Sequence, residues 1–221
     1  MNKNTDNLKT NSDHRTGRAC EADRIRMLAL GGLIAALTFV LTFSLKIPTF
    51  STHGYVHPGD TAVALAGVLL GPWFGAVAAG LGSALADVAG GYFHYAPVTF
   101  LIKAVDAAVV AIIFRNLVRI CRSRSRGASN SEADDTSAAT TPRLSIGRAL
   151  AAFVIGAAVG GLLMAGGYFF YEIFLYGVPA AVADLTGNLI QGAFGAVTAA
   201  MIFAPLAKIG LGELAELNLK G

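Results

Sequence analysis

Charge is scarce in this chain. Of 221 residues, 14% are Asp, Glu, Lys or Arg, whereas an ordinary soluble domain carries about 25%. Most of that charge lies in 1–26, 115–148 and 206–221, and long uncharged runs separate these segments. Nineteen uncharged residues lie between Arg26 and Lys46, 26 between Asp60 and Asp87, 23 between Arg148 and Glu172, and 23 between Asp184 and Lys208. A bilayer core takes about 20 apolar residues per helix. A soluble fold of this size has no interior for four such runs. With 54% hydrophobic residues, the chain reads as an all-α, polytopic membrane protein of the cell membrane.

Other absences narrow the function. There are two cysteines, Cys20 and Cys121, both in basic segments and without metal-ligand spacing; reduced cytoplasmic thiols are expected, not a disulfide framework. No G-x-x-x-x-G-K-[ST] occurs, which excludes ATP hydrolysis by a P-loop. Ser83 follows Gly80 and Gly82 but lacks the G-x-S-x-G order, and no H-E-x-x-H or Cys/His cluster suggests a metal. The expectation is a non-enzyme with no cofactor. Lys and Arg sit in tails and one loop, not on a structured face, so nucleic acid is not an expected partner. About 25 mostly polar residues, including Asp6, Asp13, Glu21 and Asp23, precede the first apolar run, which does not fit a secretory signal.

Charge and parity give a topology. Lys3, Lys9, Arg15, Arg18, Arg24 and Arg26 precede the first run, and Arg115, Arg119, Arg122, Arg124, Arg126, Arg143 and Arg148 fill the central loop. The positive-inside rule places both in the cytoplasm, so an even number of passes separates them. The first pass is 27–45. The stretch 61–114 must supply three more, broken at Gly71-Pro72 and at 90–97. Two passes follow the loop. The expectation is six transmembrane helices with both termini cytoplasmic: a disordered tail at 1–25, helices 1–4 within 26–115, a disordered Ser- and Ala-rich loop at 116–147, helices 5–6 within 148–209, and a tail at 210–221.

On this topology the polar residues inside the apolar segments share one depth. Asp60, Asp87, Lys103, Asp106, Glu172, Asp184, Asn188 and Gln191 all fall in the outer half. Asp184, Asn188 and Gln191 recur at i, i+4 and i+7 and so share one face. Intramembrane ionisable residues are costly and usually face a cavity or a partner. Each also has a purely structural explanation. Asp60 is placed to cap a helix N-terminus. Lys103 and Asp106, at i and i+3, can neutralise each other. Asn188 and Gln191 can bridge helices, and the tyrosines can form an interfacial belt. Their common depth favours a ligand site at the outer face.

Small-xxx-small pairs recur at Gly32–Ala36, Gly71–Gly75, Gly75–Ala79, Gly156–Gly160 and Gly195–Ala199, a spacing that lets helices approach closely. Gly32 and Ala36 lie in a helix with no ionisable residue between Arg26 and Lys46. Their face suits contact with another helix, in the same bundle or in a partner.

The ordered set Gly54-Tyr55-Val56-His57-Pro58-Gly59-Asp60, Leu69-Leu70-Gly71-Pro72, 82–87 (GSALAD), Gly90-Gly91-Tyr92, 96–103 (APVTFLIK), 167–172 (GYFFYE) and 187–191 (GNLIQ) resembles the substrate-binding S component of energy-coupling-factor (ECF) vitamin transporters. The riboflavin and hydroxymethylpyrimidine branch is the most similar. The resemblance spans about 27–206. It implies six helices and a site for a small vitamin or precursor near the outer face, capped by the loop between helices 1 and 2. Energy would come from partners: a transmembrane coupling subunit, docked on Gly32 and Ala36, and two cytoplasmic ATPase subunits. The candidate substrate contacts are Tyr55, His57, Asp87, Tyr92, Tyr95, Lys103, Glu172, Asn188 and Gln191. Tyrosines and amides suit a flat hydrogen-bonding heterocycle. Two other classes remain open: a stand-alone proton-coupled transporter with Asp87, Lys103 or Glu172 as relay, and a structural membrane protein that binds no small molecule.

Overall fold

A computed structural model describes residues 3–45, 47–48, 55–130 and 145–208, and the side chains of 21, 24–45, 57–123 and 145–208. The chain folds as five helices: α1 (Lys3–Ser44), α2 (Gly59–Ala89), α3 (Ala96–Asn130), α4 (Ile146–Tyr176) and α5 (Val178–Lys208). Between α1 and α2, β1 (Ile47–Pro48) and β2 (Tyr55–Val56) pair antiparallel, Ile47 opposite Val56. A helix satisfies every backbone group internally, which is why apolar runs of this length take this form in lipid. All five helices contain a segment long and apolar enough to cross a membrane. Leu33, Leu101, Leu162, Phe174 and Met201 are exposed on the outside of the bundle, as a lipid-facing surface requires.

The expected six separate helices are corrected to five, and the reason lies in α2. The break foreseen at Gly71-Pro72 falls inside that one element, where Gly71 takes φ 81° and ψ −179°. A straight helix of 31 residues would be about 46 Å long. Instead the chain reverses. A Cβ added to Gly75 would stand 2.5 Å from the Ala66 carbonyl oxygen and 2.9 Å from the Gly67 Cα. Val63, Ala66 and Ala79 share one buried cluster with Ala107 of α3. The limbs 59–70 and 72–89 therefore lie side by side. Gly71 supplies a backbone conformation open essentially to glycine alone, and Pro72 cannot donate the hydrogen bond that would continue the first limb.

Helix also extends further than the sequence expectation. α1 begins at Lys3, within the segment assigned to a disordered tail, and α3 runs to Asn130, within the segment assigned to the loop. Once nucleated in an apolar run, a helix propagates into polar sequence at little cost. The expected disorder at 131–144 and at 210–221 lies outside the described residues.

α2 is the centre of the bundle, packed against α1, α3 and α5. The interior divides by depth. Val110, Phe114, Phe153 and Phe203 form an apolar core towards the end that holds the C-terminus of α3, with the Phe153 and Phe203 rings stacked at 4.7 Å. The opposite end, where α2 and α5 begin, holds the buried polar residues.

Candidate substrate-binding cavity

Asp60 is not a helix cap. The residue at the N-cap of α2 is Pro58, with no side-chain cap bond, and the Asp60 carboxylate points into the bundle. One oxygen pairs with the Lys103 ammonium from α3. The other accepts from Gln191 Nε2 of α5 at 2.9 Å. Gln191 Oε1 in turn accepts the His57 amide at 3.0 Å, and His57 Nδ1 accepts the Gly59 amide at 3.1 Å. Lys103 is fully buried, with its ammonium 5.7 Å from the centre of the Tyr168 ring. Such a chain of bonds is needed because an unpaired charge at this depth would cost several kcal/mol. Close approach is provided by Gly195, where a Cβ would stand 2.6 Å from that of Asp60.

Above this network lies a cavity of about 50 Å³. Asp87 reaches it from the end of α2, Tyr92 and Tyr95 from the turn after it, and Thr99 from α3. Tyr168 and Glu172 come from α4, Asp184, Asn188 and Gln191 from α5, and His57 from the segment before α2. Only the reversal at Gly71 lets His57, just before α2, and Asp87, near the other end of that 31-residue element, share one space. At this size the space holds a few water molecules.

The walls are aromatic and acidic. Tyr95 meets Tyr92 and Tyr171 edge to face, with centroids 6.5 and 5.3 Å apart. Tyr168 donates to Thr99 Oγ1 at 3.1 Å, and Tyr171 to the His94 carbonyl at 2.6 Å. Among the side chains that line the cavity, Glu172 Oε2 is buried with no hydrogen-bond partner in the protein, and the Tyr95 hydroxyl has Tyr176 as its neighbour. Orphaned polar atoms are uncommon in folded interiors and call for an explanation. Burial pushes the Tyr95 phenol well above the ordinary tyrosine range, so it remains a neutral hydrogen-bonding group at physiological pH.

Of the candidate contacts, the structure brings His57, Asp87, Tyr92, Tyr95, Glu172, Asn188 and Gln191 to this one cavity. Lys103 is held beneath it by Asp60 and does not line it; the expected local pairing of Lys103 with Asp106 gives way to this longer-range partner. The Tyr55 side chain lies outside the described residues. Thr99 and Tyr168 were not among the candidates. Each stands four residues from one that was, Lys103 and Glu172 respectively, so helical periodicity carried the signal. Gly32 and Ala36 are exposed. α1 instead meets α2 through Ala35 and Thr38, which lie against Gly82.

A family model described as "ECF-type riboflavin transporter, S component" matches residues 23–128. A protein of Pyrococcus woesei, described as "Uncharacterized protein in gap 3'region", is 32% identical over 158 residues, covering 72% of this chain and 86% of that one. Among solved structures, the S component of a bacterial ECF transporter is similar over 84% of this chain and 98% of its own, with TM-score 0.55 and 18% identity. An S component for biotin from an ECF-type ABC transporter is similar over 85% and 93%, with TM-score 0.53 and 15% identity. The chain belongs to the S-component family of ECF transporters. It is thus a multi-pass membrane protein of a transporter family and not of an enzyme class.

Proposed function

We propose that this protein captures a small vitamin or vitamin precursor at the outer face of the cell membrane and hands it on for ATP-driven uptake. The observation that carries this reading is the cavity. It gathers hydrogen-bonding and aromatic side chains from every helix except α1, and one of its buried carboxylate oxygens, Glu172 Oε2, has no partner in the protein. The family match and the riboflavin-type family model support placement in the riboflavin and hydroxymethylpyrimidine branch.

Counting the two limbs of α2 separately gives six passes. The basic residues before α1 and at the end of α3 then put both termini in the cytoplasm and the cavity at the outer face. Among the described residues α1 contributes nothing to the cavity; its Gly32 and Ala36 are exposed, and a Cβ added at Gly32 would meet nothing within 4 Å. That free face suits a transmembrane coupling subunit, with two cytoplasmic ATPases supplying the energy. Lys103, one candidate for a proton relay, is committed to Asp60, which favours binding over proton coupling.

Mass spectrometry of small molecules released from the purified, denatured protein tests the reading. A heterocyclic compound in near-stoichiometric amount is expected from the wild type, and little from Asn188→Ala. Absence of any such compound, together with uptake abolished by an uncoupler at constant ATP, would favour the proton-coupled alternative.

A further inference from the structure

We propose that the inner end of α3 is a binding site for the headgroups of anionic phospholipids. One stripe of this helix carries the argument. Leu101, Val105 and Ile112 are 62%, 53% and 47% exposed, and they form part of the lipid-facing outside of the bundle. Continuing from Ile112 in steps of three, four and three residues, the same stripe carries Arg115, Arg119 and Arg122. Residues at these spacings share one face of a helix. Arg119 is exposed, and Arg115 and Arg122 are half-buried. A single lipid-facing surface thus changes from apolar to basic within one turn.

The change falls where the hydrocarbon ends. From Ala96, the first residue of α3, to Arg115 the helix rises about 29 Å, against a hydrocarbon core of about 30 Å. Trp73 marks this level independently. The first limb of α2 and α3 both run inward from the cavity end, and a Cβ on Gly67 would stand 2.3 Å from the Ala107 carbonyl oxygen. The reversal at Gly71, four residues further on, is therefore level with Ala111, one turn before Arg115. Trp73, just past it, is 83% exposed, and tryptophan favours the membrane–water interface. The positive-inside rule accounts for the side of the membrane on which the arginines lie, but any face of the helix would satisfy it. Their place on the lipid-facing stripe is what points to a headgroup. A guanidinium matches phosphate geometry, its long stem can run along apolar surface while the head reaches outward, and basic residues beside an anionic leaflet are attracted to it. The site rests on the topology proposed above and not on which molecule the cavity takes.

Native mass spectrometry of the full chain, presented with equal amounts of dioleoyl phosphatidylglycerol and dioleoyl phosphatidylcholine, tests the site. Phosphatidylglycerol is expected to be retained at least about tenfold over phosphatidylcholine. The preference should fall below about threefold in Arg115→Gln/Arg119→Gln/Arg122→Gln, and most of it should survive in the corresponding Lys triple. Lys3→Gln/Lys9→Gln/Arg15→Gln removes as many charges from the same side of the membrane and should leave the preference within about twofold of the wild type. Equal retention of the two lipids by the wild type would overturn the inference, and so would equal losses in the two Gln triples. A folded α3 Gln triple that keeps the lipid preference would overturn it too; if that variant instead loses co-purifying protein subunits, the face belongs to a protein partner. Should the variant fail to fold, the wild-type preference and its expected loss at high salt decide the matter. The small molecule released from the same samples reports on substrate capture separately.

Discussion

The Lys103 ammonium and the Asp60 carboxylate form a buried ion pair that ties α3 to the first turn of α2. Through Gln191 and the His57 amide, the pair also reaches α5 and the segment that enters α2. It therefore forms the floor of the cavity without being part of its wall. Lys103 is fully buried, and Asp106, one helical turn further along α3, is nearly so. Each charge here depends on the others for its solvation.

Removing one partner of the pair should be far worse than removing both. Lys103→Met or Asp60→Asn alone leaves a buried charge without its counter-ion, at a cost of about 3–5 kcal/mol. The double variant Lys103→Met/Asp60→Asn should lose much less than the sum of the two. Denaturant unfolding in detergent, analysed as a double-mutant cycle, measures this coupling. Additive losses would show that the pair contributes no mutual stabilisation.

The reversal at Gly71 makes a second prediction. Its backbone lies at φ 81° and ψ −179°, where a side chain is strained by about 1–3 kcal/mol. Gly71→Val should lower stability by that amount. Gly166→Val should change it little, since a Cβ at Gly166 meets nothing within 4 Å. Equal effects at the two positions would contradict the tight reversal.

Topology is open to cysteine labelling of intact cells. Phe93 is 67% exposed in the turn between α2 and α3, which the six-pass count puts outside, whereas Cys121 falls inside. An impermeant thiol reagent should label a Phe93→Cys variant and spare Cys121. The reverse pattern would sink the six-pass count.

Binding should depend on the α5 face. Asn188 and Gln191 both reach the cavity, but Gln191 also holds Asp60. Asn188→Ala is expected to weaken retention of the co-purified ligand at least about tenfold, equivalent to roughly 1.4 kcal/mol, with little change in unfolding temperature. Gln191→Ala should lower both. A stability loss confined to Asn188→Ala would reverse these roles.

Much of this arrangement was legible in the sequence because the bilayer makes charge expensive. The uncharged runs located the helices, and the shared depth of Asp87, Glu172, Asn188 and Gln191 anticipated a common site. The Gly71-Pro72 dipeptide marked the reversal, though not that both limbs would join one element. The partner of Lys103 is hidden because sequence shows neighbours along a helix, such as Asp106, and not partners across the bundle, such as Asp60. Asp60 was misjudged for the same reason: its place at a helix start fits a cap, and only packing against Gly195 and Lys103 turns it inward. The ends of α1 and α3 were hidden because a helix carried forward from an apolar run needs no apolar pattern of its own.

The central claim is that α1 presents a docking face while the other helices hold the ligand, so that capture and energy coupling are separate. The most direct measurement is affinity purification of the tagged chain from its native membranes, with the co-purifying subunits identified by mass spectrometry and the retained small molecule quantified from the same sample. The wild type should bring down a transmembrane partner and P-loop ATPases together with its ligand. Gly32→Leu or Ala36→Leu, both at exposed positions of α1, should lose the partners and keep the ligand. Full retention of the ATPases in both variants, or loss of ligand along with partners, would contradict the account.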